Sequence, residues 1–411
     1  MHRLAIVASH PIQYQAPWFR ALATVTDLTV FFCHRQDAKG QADAGFGVAF
    51  EWDVPLLEGY RSRWLTNVAA EPGVSSFRGC DTPEIADEIA RGEFGACIVS
   101  GWYLKSYLQT IRACRKHGVK LMVRGDSQLA TPRSRAVALA KHLPYRWLLQ
   151  RFDAHLYVGE RNREYLVHYG VEEDRLFHVP HFVDNAFFAA RAEEARQNGS
   201  ARALRAELGC NDRSMVVLFA GKLIEKKRTA DLIKAARLAR STGLDVRAIV
   251  VGSGPLETDL RSLARNESVP ALFTGFRNQS EIPTCFAAAD AIALPSDGGE
   301  TWGLVVNEAM ACGLPALVSR AAGCGPDLVS NGETGYVFET GNIQAFADAM
   351  RALHCTLDES PDRLRTSVAA RIKRYSVEAA VGGTLRALDA VTARTRHGHQ
   401  PQAAALPEGT R

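Results

Sequence analysis

The sequence predicts an α/β protein made of two Rossmann-like domains, each a doubly wound parallel sheet. First, short β-rich segments alternate with helical segments along the chain, which is the pattern of parallel sheets with helices on both faces. Second, the β-rich segments are almost entirely apolar, as expected for strands covered on both faces. Third, a length of 411 residues exceeds one ordinary core, so two domains are expected.

Ten segments are predicted to be strands, five in each half of the chain. They are RLAIVAS, LTVFFCH, ACIVSG, KLMVRG and HLYVG in the first half, and MVVLFAG, RAIVVG, ALFTGF, AIALPS and PALVS in the second. In open α/β sheets, ligands bind beyond the carboxyl ends of the strands. The loops that follow these segments should therefore carry the chemistry.

The expected domains are residues 1–185 and 205–365. The stretch from Arg191 to Ser214 is polar, rich in Ala and Arg, and lacks a strand signal, so it is interpreted as a linker with helical character. Helices over 366–395 follow the second domain, and the tail over 396–411 is expected to be disordered.

Composition indicates a cytoplasmic protein without a structural metal site. The nine cysteines are odd in number and include no CxxC pair, which favours free thiols in a reducing compartment. The N-terminal apolar run is too short for a signal peptide, and no stretch reaches transmembrane length. No metal, cofactor or nucleic-acid partner is expected.

Positive charge is concentrated between Gly101 and Arg151, where eleven Lys and Arg face one acid, Asp126. Within this segment, residues 132–151 mix basic side chains with Leu, Tyr and Trp, a composition that suits the surface of an anionic membrane. The favoured alternative is a helix that packs its apolar face on its own domain. Pro144 is expected to interrupt any single long helix here.

Two carboxylates stand eight positions apart in SDGGETWGLVVNEAMACGLPAL, residues 296–317. Glu300 falls in a Gly-rich loop after a strand, and Glu308 falls roughly 7 Å into the next helix at ~1.5 Å per residue. That helix should begin near Gly303, where free N–H groups and the helix dipole favour phosphate. Carboxylates on both sides could accept the hydroxyl pairs of a nucleotide sugar. A solvated position for Glu308 is disfavoured by its apolar helical neighbours.

A basic loop follows the first strand of the second half. FAGKLIEKKR offers Gly221, Lys222, Lys226, Lys227 and Arg228 at the carboxyl end of that strand. Clustered cations at this position are suited to a diphosphate leaving group. An exposed charge cluster without a ligand is the equally common alternative.

The next two strands lead into loops that could contact the donor. In GSGP, Gly252 and Gly254 would let the backbone approach a ligand closely. A dinucleotide fingerprint is a weak match, because Glu257 stands where the third glycine belongs. In FTGFRN, Phe276 and Arg277 could meet a base.

Candidate acceptor-side residues follow two strands of the first half. His10 and Gln13, in SHPIQYQAPWF, should line the cleft, where His10 could orient an acceptor hydroxyl or be a structural loop histidine. Arg124 and Asp126 lie in LMVRGDSQL. Asp126 could accept a hydrogen bond from the acceptor, although an ion pair with Arg124 or Arg133 is favoured.

Together these loops resemble the family 4 retaining glycosyltransferases, which have the GT-B fold. Glu300 and Glu308 match the E-x7-E pattern of that family in ETWGLVVNE, and GSGPLETDLRSLA, GLPALVS and NGETGYVF match other landmarks in order. The resemblance is dense in the second half and loose in the first. It implies two domains facing across a cleft and a final helix that crosses back to the first domain.

The resemblance also implies roles for individual residues. Glu308 should hold the donor ribose and Glu300 the hydroxyls of the donor sugar, while the N–H groups of Gly303 and Leu304 face the sugar and phosphate. Lys222 and Lys227 match the basic pair on the diphosphate, and catalysis without a metal is implied. The other expected donor-side residues are Gly221, Gly254, Phe276, Arg277 and Trp302, which replaces the common Phe.

The expected activity is a retaining transfer of a hexosyl group from a UDP- or GDP-sugar to a hydroxyl of a glycan or lipid-linked acceptor. By analogy with the family, this would serve bacterial surface polysaccharide or glycoconjugate synthesis at the inner face of the plasma membrane. Three alternatives stay open: a nucleotide-sugar epimerase of the same fold, a dehydrogenase that uses GSGP, and a non-catalytic nucleotide-sugar-binding protein.

Overall fold

The structure is a computed structural model that describes residues 2–36, 51–131 and 134–397, the last four by their backbone alone. Two separate all-parallel sheets organise these residues, one of seven strands and one of six. The predicted fold class of two doubly wound α/β domains is confirmed. Part of the expected tail, residues 398–411, lies outside the described range.

The first sheet has the strand order β3-β2-β1-β4-β5-β6-β7. Its strands are β1 Arg3–Ala8, β2 Asp27–Phe32, β3 Arg61–Trp64, β4 Ala96–Val99, β5 Lys120–Gly125, β6 Ala154–Tyr157 and β7 Leu176–His178. The helices that accompany it are α1 Ala16–Ala23, α2 Ile85–Arg91, α3 Lys105–His117, α4 Arg135–Leu149 and α5 Glu160–His168.

The second sheet has the order β10-β9-β8-β11-β12-β13. Its strands are β8 Met215–Ala220, β9 Val246–Val251, β10 Ala271–Gly275, β11 Ala291–Leu294, β12 Ala316–Ser319 and β13 Gly335–Phe338. Its helices are α6 Asn185–Gln197, α7 Ser200–Glu207, α8 Thr229–Arg240, α9 Glu257–Asn266, α10 Ile282–Ala288, α11 Leu304–Ala311, α12 Gly325–Leu328, α13 Ile343–Glu359 and α14 Pro361–Lys373.

The innermost strands β4, β8 and β11 are apolar at every position because both faces of each sheet are covered. In β8, Leu218 packs into the core on the side of α11, whereas the next residue, Phe219, packs into the core on the side of α8. Successive side chains of a strand point to opposite faces, so double coverage removes the alternation of polar and apolar residues.

The strand order places the binding crevice. In the first sheet the order reverses between β1 and β4, and in the second between β8 and β11. Loops at such a reversal leave the sheet in opposite directions and open a crevice at the carboxyl edge. The loops after β1, β8 and β11 therefore border the site.

The final helix, α15 Val377–His397, crosses back and packs on α1, β6 and β7 of the first domain. Its buried residues Ala387 and Leu388 share a core with Leu4 of β1. The predicted crossing of the final helix back to the first domain is confirmed. The chain thus passes between the domains twice, and the Asn185 side chain joins the two crossings by donating to the carbonyl oxygens of Ile372 (3.1 Å) and Tyr375 (3.4 Å).

Helix α4 contradicts the expectation for Pro144 and meets the expectation for its packing in part. It continues through Pro144 without a break, because an exposed helix can leave the carbonyl that lost its donor to water. The expectation that it packs its apolar face on its own domain is met in part. Leu149 is buried and Tyr145 and Leu148 pack against the core of the first domain, whereas Leu139, Leu143 and Trp147 are 79%, 73% and 61% exposed. Within the described residues, no helix has both the length and the apolar character needed to cross a bilayer.

Candidate active site

A cleft of about 640 Å³ lies between the carboxyl edges of the two sheets. The loop after β1 lines it from the first domain, and the loops after β8, β9, β10 and β11 line it from the second. The predicted site residues that line this cleft are His10, Gln13, Gly221, Lys222, Lys227, Phe276, Arg277, Glu300, Gly303, Leu304 and Glu308.

Glu308 lies in the second turn of α11, which begins after Gly303. Gly303 has φ of +102°, and a Cβ there would lie 2.3 Å from the Leu294 side chain, so glycine is required. The Glu308 carboxylate is 3% exposed. Its Oε1 accepts hydrogen bonds from the Tyr14 hydroxyl at 2.9 Å and the Gln279 amide at 3.3 Å. The sequence analysis missed both partners.

The surroundings of Glu308 shift the pKa of its carboxyl group. Burial raises the pKa of its carboxyl group to about 7, against the lowering effect of the Tyr14 and Gln279 hydrogen bonds. Desolvation of the charged form is the dominant cause. The carboxyl group therefore titrates near neutral pH rather than near its usual value.

Glu300 and Lys227 form an ion pair, with side chains 13% and 15% exposed. The loop that carries Glu300 is also held by main-chain contacts: the Gln128 side chain, from the first domain, donates to the Glu300 carbonyl oxygen at 3.0 Å, and Lys226 donates to that of Gly299 at 3.4 Å. Residues of both domains thus fix the position of the Glu300 carboxylate.

Positive charge accumulates at the carboxyl end of β8. Partial burial lowers the pKa of Lys222, and the nearby charges of Lys226 and Lys227 lower it further. Like charges that crowd one loop repel each other. An anion bound at this loop would relieve that repulsion.

Gly254 has another role than the one expected. With φ of +156°, a Cβ at Gly254 would lie 2.6 Å from the carbonyl oxygen of Leu223, and a Cβ at Gly252 would lie 2.0 Å from that of Gly221. These glycines allow the loop after β9 to pack on the loop after β8. Gly252 still lines the cleft, whereas Gly254 does not.

Trp302 also lies away from the cleft. Its indole is 4% exposed and donates to the Asn307 side-chain oxygen at 2.8 Å. The Asn307 amide in turn donates to the carbonyl oxygen of His181 at 3.2 Å, and the Trp302 ring lies 5.2 Å from that of His181. This position supports the crossing between the domains behind α11 and does not support direct contact with a donor.

Arg124 and Asp126 stand beside the cleft without lining it. The Arg124 guanidinium lies 5.5 Å from the ring of Trp18 and 5.4 Å from that of Phe182. Burial lowers its pKa to about 10, which the charge of Asp126 partly offsets. Asp126 accepts a hydrogen bond from the Thr301 hydroxyl at 2.7 Å, next to Glu300. The expected ion pair of Asp126 with Arg124 does not form, because Arg124 donates instead to the Pro180 carbonyl oxygen at 3.1 Å. The alternative partner, at position 133, lies outside the described residues.

His10 reaches the cleft as a neutral imidazole. Burial, followed by the nearby charge of His34, lowers its pKa to about 4. Its Nδ1 lies 3.0 Å from the Ser9 hydroxyl oxygen. A neutral imidazole can both donate and accept hydrogen bonds. In the part of the chain that the structure describes, no group of three or more His, Cys, Asp or Glu side chains is arranged to hold a metal ion.

Comparison with known proteins agrees with this geometry. Residues 200–371 match the family Glycosyl transferases group 1. The D-inositol 3-phosphate glycosyltransferase of Pseudarthrobacter chlorophenolicus is 31% identical over 218 residues, which cover 51% of this chain and 48% of that protein. The chain spans about half the length of the curated relatives it matches.

Solved structures share the whole architecture. The α,α-trehalose 6-phosphate synthase of Burkholderia multivorans has a TM-score of 0.71 at 14% identity, covering 98% of this chain and 100% of that chain. Anabaena HepE in complex with UDP and glucose has a TM-score of 0.65 at 17% identity, covering 95% and 100%. At such identities the likeness establishes the fold.

Proposed function

We propose that this chain, whose residues 200–371 match the family Glycosyl transferases group 1, moves a hexosyl group from a UDP- or GDP-sugar to a hydroxyl of a glycan or lipid-linked acceptor. The observation that carries the proposal is that Glu308, Glu300 and Lys227 converge on one cleft around the start of α11. A diphosphate flanked by two diols matches a helix N-terminus flanked by two carboxylates.

In the proposed complex, Glu308 accepts the ribose hydroxyls and Glu300 those of the transferred sugar. The Tyr14 hydroxyl and the Gln279 amide both donate to Oε1 of Glu308. No described residue donates to Oε2, so that oxygen is the one proposed to accept from the ligand. Lys222, Lys227 and the N–H groups at the start of α11 receive the diphosphate. The structurally similar Anabaena HepE was solved with UDP and glucose, which supports a nucleotide sugar as the ligand proposed here.

The proposed reaction retains the configuration of the sugar. The bond between the anomeric carbon and the diphosphate oxygen breaks, the acceptor oxygen bonds to the same face, and the leaving phosphate takes the acceptor proton. The described residues around Glu300 include no evident nucleophile, so rate enhancement comes from positioning and from cations at the leaving group. The reaction requires neither a metal nor a cofactor.

The acceptor side is proposed to work at a membrane. The α4 face, which we define as Leu139, Leu143 and Trp147, projects one apolar side chain per turn into solvent. Basic residues Arg135 and Lys141 share the helix, and no acid occurs between positions 127 and 152. An apolar stripe with basic flanks is complementary to an anionic bilayer. This favours a lipid-linked acceptor at the inner face of the plasma membrane, as in bacterial surface glycoconjugate synthesis.

The donor is tested by thermal unfolding of the full chain with UDP-, GDP- and ADP-sugars and NAD, without metal. A ligand that binds only the folded state stabilises it by roughly 2.7 kcal/mol at a hundred times its Kd. We expect a nucleotide sugar to raise the Tm, and Glu308→Ala to abolish the rise while remaining folded. A rise with NAD alone would overturn the proposal.

Product analysis distinguishes the transferase from the epimerase of the same fold. With the donor and a candidate acceptor, a transferase forms a new glycoside and releases the nucleoside diphosphate. An epimerase converts the donor sugar when no acceptor is present. A chain that binds the donor and forms neither product would be a binding protein.

A further inference from the structure

We infer that Tyr14 is a positioning residue of the donor site, which couples the closure of the two domains to the orientation and the charge of the Glu308 carboxylate. The inference rests on the proposed function, because it takes Glu308 as the residue that receives the donor ribose. It concerns the first domain, to which no donor contact has been assigned.

Tyr14 belongs to the first domain by its backbone and to the second by its side chain. It lies in the turn between β1 and α1, which is held by a hydrogen bond of 2.9 Å from the Gln15 N–H to the Ile12 carbonyl oxygen. Its ring packs against the core around α11. Its hydroxyl reaches Glu308, 294 positions away in the chain, at 2.9 Å. This hydrogen bond requires the domains to be together.

The hydrogen bond selects which oxygen of Glu308 a ligand can use. The Tyr14 hydroxyl and the Gln279 amide both donate to Oε1. A carboxylate oxygen has two lone pairs, so two donors satisfy Oε1 and hold the carboxylate plane. Because Glu308 lines the cleft, we expect Oε2 to be the oxygen to which a ribose diol donates.

The same hydrogen bond favours the charged form of Glu308. The groups that face this carboxylate are the Tyr14 phenol from the first domain, the Cys312 thiol at the end of α11, and the Glu300–Lys227 pair of the neighbouring loops. Arg277 lines the same cleft. Among the residues that the structure describes, neutral donors rather than a contacting cation therefore stabilise the charge. A hydrogen bond to the charged form lowers a carboxyl pKa.

Removal of the hydroxyl should therefore change the pH dependence of binding. Because the wild-type carboxyl has a pKa raised to about 7, nucleotide affinity should be full above neutral pH and should fall as the pH drops through that value. Without the Tyr14 hydroxyl the pKa rises further, so the fall should begin at a higher pH.

The test is calorimetric titration of the full chain with UDP and with GDP between pH 6 and pH 9. The proteins are the wild type, Tyr14→Phe, Glu308→Gln and the control Tyr60→Phe, whose phenol donates to the Leu56 carbonyl oxygen away from the cleft. At pH 7 we expect Tyr14→Phe to weaken binding roughly tenfold, at the low end of a hydrogen bond to a charged group. The loss should shrink towards pH 9, and Tyr60→Phe should match the wild type.

The outcomes separate the two proposals. If Glu308→Gln abolishes binding while Tyr14→Phe keeps the wild-type Kd and pH midpoint, the role of Tyr14 is refuted and the proposed function stands. Tighter binding by Tyr14→Phe would also refute it, because the hydroxyl would then compete with the ligand. If Glu308→Gln binds like the wild type, both proposals fail.

Discussion

Lys227 and Glu300 form an ion pair across the start of α11, joining the loop after β8 to the loop after β11. Each side chain is mostly buried, so each depends on the other for a partner. A pair of this kind contributes little net stability while intact, but removal of one member leaves a charge without compensation. The proposed ligands of these two side chains, the diphosphate and the transferred sugar, are thus linked through one contact.

Substitution of Lys227 should therefore affect the donor twice. We expect Lys227→Met to lower kcat/KM by at least about 100-fold, because a cation at the leaving group is lost and Glu300 is released from its position. The control is Lys234→Met on the exposed face of α8. Steady-state rates of nucleoside diphosphate release would measure both, and equal rates would contradict the role of Lys227.

Two glycines with positive φ should respond differently to alanine. Gly254→Ala would force a Cβ to within 2.6 Å of the Leu223 carbonyl oxygen, whereas a Cβ at Gly243, with φ of +96°, meets nothing within 4 Å. We expect Gly243→Ala to cost about 1 kcal/mol in backbone strain. Gly254→Ala should cost more and should also weaken donor binding, because the loop that carries Lys222 must move. Urea unfolding and calorimetry measure the two effects, and matching losses would contradict this account.

Asp327 should make stability depend on pH. It accepts hydrogen bonds from the Glu160 N–H at 3.1 Å and the Tyr375 hydroxyl at 3.0 Å, and burial raises its pKa to about 6. The pKa of Asp327 is 3.8 in the unfolded chain and about 6 in the folded protein. Between these pH values the folded state binds more protons, so the free energy of unfolding rises as the pH falls from above 6 towards 4.

Asp327→Asn should remove this contribution, which has a slope of at most about 1.4 kcal/mol per pH unit. The measurement is the difference in free energy of unfolding between the wild type and the variant from pH 4 to pH 8, so that other titrating groups cancel. Asp362→Asn, at an exposed site, is the control. A difference that does not vary with pH would contradict the assigned burial of the charge.

The α4 face should bind liposomes that contain anionic lipid. Leu143→Gln is expected to reduce cosedimentation with phosphatidylglycerol vesicles, and added salt should weaken the binding of the wild type. The control is Leu57→Gln, since Leu57 is 39% exposed elsewhere in the first domain. If neither the wild type nor Leu143→Gln cosediments with the vesicles, membrane contact is refuted. A Leu143-dependent dimer in solution would assign the face to a second copy instead.

The sequence analysis predicted the inner strands well and missed three at the edges. β3 and β7 border the first sheet and β13 borders the second. Edge strands are short and only partly covered, so they lack the long apolar run that identifies an inner strand. Residues 61–64, RSRW, are polar at three of four positions and carry no such signal. β10, the remaining edge strand, was predicted because its ALF segment is apolar.

Site residues were predictable where local spacing places them and unpredictable where another domain supplies the partner. Glu300, Gly303 and Glu308 follow from one loop and the first turns of one helix. Tyr14 could not be found in this way, because its partner is 294 residues distant. Trp302 was wrongly expected in the cleft because its position in the loop says nothing of which side its ring takes.

The link that Asn185 makes between the two interdomain crossings limits how the halves can move. A single connecting segment would let one domain rotate about several axes relative to the other. Two connecting segments joined by hydrogen bonds act as one hinge and restrict the motion of the domains to rotation about one axis. The cleft should therefore open and close by this one rotation. The distance between two fluorescent labels, one on each domain, would then report the full range of the opening angle.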